Sequence, residues 1–165
     1  MAFGASSAMF AQFIKNPGTR AVNAATAPTG YVDLLTDSVK VALFGNSVTP
    51  DKDAVVGSTG FNTGTWTTGN EVTDPTNWVS GGRVLSTDTY ASVTNGMMYD
   101  AADLAGGGTV TITNAYGCFV YDDTITAGTV ADQGVCFNSF GSAQSVTSGT
   151  FTIVWNANGI FRITV

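Results

Sequence analysis

Apolar and polar residues alternate with a period of two over several short stretches of the chain, and that period predicts β-strands. In residues 38–44, SVKVALF, Val39, Val41 and Leu43 share one face, while Lys40, Ala42 and Phe44 share the other. Residues 83–90 set Val84, Ser86 and Asp88 against Arg83, Leu85, Thr87 and Thr89. In residues 109–113 Val110 and Ile112 point inward and the threonines outward. Asn114 interrupts the register, and the nearly continuous apolar run at 116–121 predicts a strand in a central position. Shorter strands are expected at 71–72, 96–99, 135–140 and 144–146. Near the end of the chain Phe151, Ile153 and Trp155 oppose Thr150, Thr152 and Val154. The turn Asn158-Gly159 then leads into residues 160–165, so 150–164 is expected to form a paired hairpin.

These stretches amount to about eight or nine short strands separated by turn signals. No helical crossovers lie between them, so a parallel sheet has no connections to build it. The expected fold is all-β: an antiparallel β-sandwich or a small barrel. Residues 1–30 differ from the rest. Met9, Phe10, Phe13 and Ile14 have the spacing of one face of a short helix within residues 6–14, which Asn16-Pro17-Gly18 would end. An Ala/Thr/Asn-rich stretch without a period follows. This segment is expected to be an N-terminal arm that mediates assembly, with Phe3 among its anchors, or a short helix covering one end of the domain formed by residues 31–165. Residues 56–75 read as a long surface excursion, whose Phe61 and Trp66 either close the edge of the core or touch a partner.

Composition narrows the functional classes. The chain has 165 residues, 20 of them glycine, and Glu71 is its sole glutamate. Twenty-five threonines and few long charged side chains make a surface suited to sheets and polar turns rather than helices. The formal charge is −6, and the six basic residues Lys15, Arg20, Lys40, Lys52, Arg83 and Arg162 are scattered. With no basic stripe, neither direct nucleic-acid binding nor an anionic membrane surface is expected. No basic segment precedes a long apolar core, so a protein made in the cytoplasm is expected. The chain has no histidine, and Cys118 and Cys136 belong to no CxxC motif, so no metal site, cofactor or His-activated nucleophile is expected. The two cysteines read as buried thiols or as a cross-strand disulfide. The aspartate pairs Asp51/Asp53, Asp100/Asp103 and Asp122/Asp123 read as turn formers rather than cation ligands. Gly81-Gly82 and Gly106-Gly107-Gly108 fit no phosphate-loop pattern. Trp66 and Trp78 are the aromatic candidates for a sugar-binding surface, with burial in the core as the competing reading. No catalytic residue is assigned, and the chain is read as a non-enzyme.

Residues 36–54, TDSVKVALFGNSVTPDKDA, resemble the opening of small structural proteins of tailed bacteriophages. The resemblance continues through Asn70-Glu71-Val72, Trp78-Val79-Ser80-Gly81-Gly82 and Leu85, and through residues 116–123. It ends in 149–160, GTFTIVWNANGI, which is similar to the closing hairpin of that family. It spans roughly residues 33–165, while the N-terminal region is longer than in the family and 55–69 is richer in Gly and Thr. It implies a virion component without catalytic residues, most like a capsid decoration (cement) protein on the outer surface of the head. The implied partners are the major capsid protein and copies of the chain itself. The alternative is a tail, baseplate or fibre-associated structural or receptor-binding protein.

Overall fold

The structure, a computed structural model, describes residues 7–10 and 32–164. Among these residues the main sheet sets β1 (Ala8–Met9), β9 (Gly134–Gly149), β8 (Val110–Asp122), β2 (Val39–Phe44) and β3 (Glu71–Val72) side by side in that order. The short strand β4 (Arg83–Val84) also pairs with β2. A second sheet has β6 (Gly96–Asp100) between β5 (Thr89–Val93) and β11 (Phe161–Thr164), and β7 (Leu104–Ala105) pairs with β10 (Thr152–Ile153). Every one of these pairings is antiparallel. The fold is all-β and sandwich-like, and the described strands leave the main sheet open at β1 and β3 rather than closing it into a barrel.

The centre of the main sheet is buried on both faces. Val39, Val41 and Leu43 of β2 are buried on one side, Ala42 and Phe44 on the other. Lys40 is half-buried and reaches Asp123, 2.7 Å away. In β8 every residue from Cys118 to Asp122 is buried, as expected for a central strand. The smaller sheets contribute Tyr99, Leu104, Ile153 and Phe161 to the same continuous core. Residues 56–75 supply further cover: Trp66 stacks on Phe119 with ring centroids 4.5 Å apart, and Phe61 stacks on Tyr121 at 4.8 Å. Of the two readings for this pair, the structure therefore shows the core one.

Local devices hold the β3–β4 connection against β2. The Glu71 carboxylate accepts the Gly81 N–H at 2.9 Å and the Ser80 hydroxyl at 2.7 Å, and the Gly81 carbonyl accepts the Tyr121 hydroxyl at 2.7 Å. Gly82 has φ +72°, and a Cβ there would lie 1.9 Å from the Val41 carbonyl oxygen. Only glycine combines that dihedral with so close a backbone approach.

Three expectations are corrected. Residues 8–9 are a strand, not part of a helix, because their backbone pairs with Cys136 and Phe137 of β9. Phe3, Phe13 and Ile14 lie outside the described residues. Residues 150–164 do not form a paired hairpin. Thr152 and Ile153 pair with Ala105 and Leu104, whereas Phe161–Thr164 pairs with residues 96–99 of β6. The Asn156–Gly159 turn thus carries the chain from one sheet to another. Finally, β8 and β9 are longer than the alternation implies, because the ladder between them runs on through several register shifts.

Trp66→Ala removes the stacking cover from Phe119 and is expected to cost about 3–5 kcal/mol, the usual loss for a large buried aromatic. Val84→Ala, at a side chain 51% exposed, is expected to stay within about 0.5 kcal/mol. Urea melts of the two variants test this; equal midpoints would refute it.

Candidate functional site

Most side chains singled out for chemistry serve the fold. Cys118 and Cys136 are free and buried. Desolvation pushes the Cys118 thiol up to about 12 and raises that of Cys136 well above its ordinary value, so neither is a ready nucleophile. Asp51 Oδ1 accepts the N–H of Asp53 at 2.9 Å, as aspartates do in turns, whereas Asp103 Oδ1 accepts that of the distant Trp155 at 3.0 Å and ties the β7 end to the segment after β10. Asp74, not singled out in the sequence, accepts three backbone N–H groups, from Thr76, Asn77 and Thr111. Those bonds, Thr111 first, hold its carboxyl below the usual range. Trp66 and Trp78 are both buried, so neither offers an exposed sugar platform. No group of three or more His, Cys, Asp or Glu is placed to hold a metal ion among the described residues. A groove of about 440 Å³ between Phe140, Gln144, Phe151 and Ile153 has no titratable side chain in its lining.

Two features are not explained by turns or ordinary core packing. The first is the N-terminal strand. Its pairing is short, Ala8 with Phe137 and Met9 with Cys136, and two bonds flank it. Phe10 donates its N–H to the Val135 carbonyl at 3.2 Å, and Ser139 donates its N–H to Ser7 Oγ at 2.9 Å. The Phe10 ring is fully buried, standing edge-on to Trp66, Phe119 and Phe137 at centroid distances of 6.0, 5.6 and 5.5 Å. Gly134 makes room for it: a Cβ there would lie 2.8 Å from Phe10 Cε2. Beside β1 a groove of about 410 Å³ is lined by Ser7, Met9, Asn138, Ile160 and Arg162, among others.

The second feature is a pair of carboxyl groups where the chain enters β2. Asp122 is fully buried; its Oδ1 accepts the Thr124 N–H at 2.8 Å, while Oδ2 meets no N–H or cation. The carboxyl of Asp37 lies within hydrogen-bonding reach of it and accepts the Asp33 N–H at 2.8 Å. A charge on Asp122 beside that carboxyl would be repelled as well as desolvated, which favours the protonated form of Asp122. Desolvation first, then the bond and charge of Asp37, push Asp122 up to about 7, against the pull of the Thr124 N–H. Around the pair, Asp123 is neutralised by Lys40, and burial raises Asp132 as well. The sequence singles out Asp122 together with Asp123 as turn formers; the carboxyl that in fact lies beside it, Asp37, is far away in the chain and carries no local signal.

Searches of family profiles, of curated proteins and of solved structures return no match to this chain.

The carboxyl pair sets a pH dependence. Asp122 binds its proton more tightly folded than unfolded, where its ordinary value is 3.8. Its contribution to stability is therefore fully present below 3.8 and is lost as pH rises through about 7. Asp122→Asn keeps an acceptor for Thr124 and gives Asp37 a permanent N–H donor. The melting temperature of the native protein is expected to fall across this window, and that of the variant to fall less and to be higher above it. A native profile that is flat from acid to neutral pH would refute the raised Asp122 carboxyl.

Proposed function

We propose that this protein is a structural component of a tailed-phage virion, a decoration protein that binds and stabilises the capsid lattice. The observation that carries the reading is the spatial coupling of the segments that resemble such proteins. Glu71, in one segment, holds Ser80 and Gly81 of the next, and Gly82 lies against Val41 and Ala42 of the first. Gly81 also accepts a hydrogen bond from Tyr121, in the fourth. Support also comes from Cys118, Cys136, Trp66 and Trp78, all buried, which serve the core. The buried tryptophans weigh against the receptor-binding alternative, because a sugar groove draws on exposed aromatic rings.

The copy number per particle tests the reading. Quantitative mass spectrometry of purified virions is expected to find hundreds of copies, and labelling of the protein is expected to decorate the head. Heads lacking it are expected to rupture at lower temperature and to regain resistance when purified protein is added. A handful of copies at the tail tip would overturn the decoration reading and select the tail alternative; absence from particles would overturn both.

A further inference from the structure

The N-terminal strand has the construction of a bound peptide rather than of an integral part of the sheet. Among the described residues it is held by a two-residue ladder, two flanking hydrogen bonds, one fully buried ring and the partial packing of Ala8 and Met9 against the core. The socket for that ring is built by Trp66, Phe119, Gly134 and Phe137, all much later in the chain. Twenty-one residues, 11–31, separate Phe10 from Val32, where the described chain resumes. Fully extended, a segment of that length reaches up to about 70 Å, more than the width of a domain this size. Each contact that residues 7–10 make with their own β9 is equally available on the β9 of an identical copy. Whether the strand closes on its own domain or on a neighbour is then set by local concentration and the path between copies, not by different contacts.

We propose that residues 7–10 are an exchangeable clip: in the assembly, this strand of one copy pairs with β9 of an adjacent copy, and its Phe10 fills the adjacent copy's socket. The socket of each subunit is then completed by its neighbour, and a ring of such exchanges links copies without any other contact. The inference rests on the reading of the protein as a repeated subunit, and it names both the partner and the element that joins them.

Met9 and the native Cys136 sit directly opposite across the ladder, and opposed residues of an antiparallel pair lie at a separation that a disulfide can bridge. One chain carries Met9→Cys, Cys136→Ser and Cys118→Ser; the other carries only Cys118→Ser. The two are mixed at high concentration, warmed to just below the melt, oxidised and run on a non-reducing gel. The expected result is a disulfide-linked heterodimer whose fraction rises with protein concentration. A single chain with Met9→Cys and Cys136 retained provides the control. If that control cross-links while the mixture gives no heterodimer at any concentration, the clip closes only on its own domain and the proposal is overturned. If Cys136→Ser disturbs folding, Ser7→Cys and Ser139→Cys chains carry the same test, since those residues are joined by a hydrogen bond. The virion assay is read separately. Protein on heads without heterodimer overturns the exchange and leaves the structural role; heterodimer without protein on heads does the reverse.

Discussion

The fold depends on the stacking of Trp66 on Phe119. The main sheet is apolar on both faces at its centre, and the smaller sheets cannot cover both. The remaining cover comes from a segment rich in Gly and Thr, with little ladder pairing of its own. Ordering such a segment costs about 1–2 kcal/mol per residue. Part of that cost is offset by one indole laid on a central phenylalanine, with Phe44 edge-on to it at 5.1 Å and Phe137 tilted against it at 5.8 Å, and part by Phe61 on Tyr121 and by backbone bonds from Phe61 to Asp132 and from Gly134 to Thr59. The hydrogen bonds within the segment shape it without anchoring it: Asn62 donates to the Trp66 carbonyl and Trp66 to that of Thr63, both at 2.9 Å. Phe10 enters the same cluster from the other end of the sequence, so the position of the N-terminal strand follows from the position of Trp66.

Scarcity of charge shapes the rest. With few Lys, Arg and Glu, the chain satisfies exposed turn amides with Asp, Asn, Thr and Ser. Asp33, Asp51, Asp74, Asp122 and Asn156 each accept backbone N–H groups a few residues ahead. The aspartate pairs that suggest cation ligands are likewise engaged one residue at a time: Asp51 and Asp122 with backbone N–H groups just ahead, Asp103 with Trp155 and Asp123 with Lys40. Asp100 Oδ1 and Asp122 Oδ2 are exceptions, buried without a hydrogen-bond donor, and beside Asp122 lies another acid, Asp37.

Much of the fold was readable from alternation, and what was not readable has physical causes. Val39–Phe44 and the central character of residues 116–121 follow from local pattern, because the side chains of a strand report which faces are covered. Strand length does not follow. Asn114 has φ +57° and Ser148 φ +49°, conformations that look like strand ends from residue type, yet the β8–β9 ladder shifts register and continues. Partner choice does not follow either. Asn158-Gly159 signals a tight turn, and a turn forms, but Ile153 is held by Leu104 and Phe161 by Tyr99. A turn fixes how the chain reverses; the core fixes which edge each arm finds. At the N-terminus the apolar spacing fitted a helix, and β9 offered an unpaired edge with an aromatic socket beside it, a long-range option with no local signature. The carboxyl pair was hidden for the same reason.

The clip and the carboxyl pair bracket one stretch of sequence. Phe10 closes its N-terminal side, and the Asp33–Asp37 turn, with Asp37 N–H donated to the Asp33 carbonyl at 2.9 Å, opens its C-terminal side. The two fastenings respond to different variables. The clip is apolar: its strength follows buried area and is nearly indifferent to pH and salt. The turn is polar: the Asp37 carboxylate that accepts the Asp33 N–H is also the neighbour of Asp122, whose carboxyl is pushed up by desolvation and by that neighbour. A rise in pH through about 7 therefore adds a charge beside the turn and none beside the Phe10 socket, whose lining is aromatic.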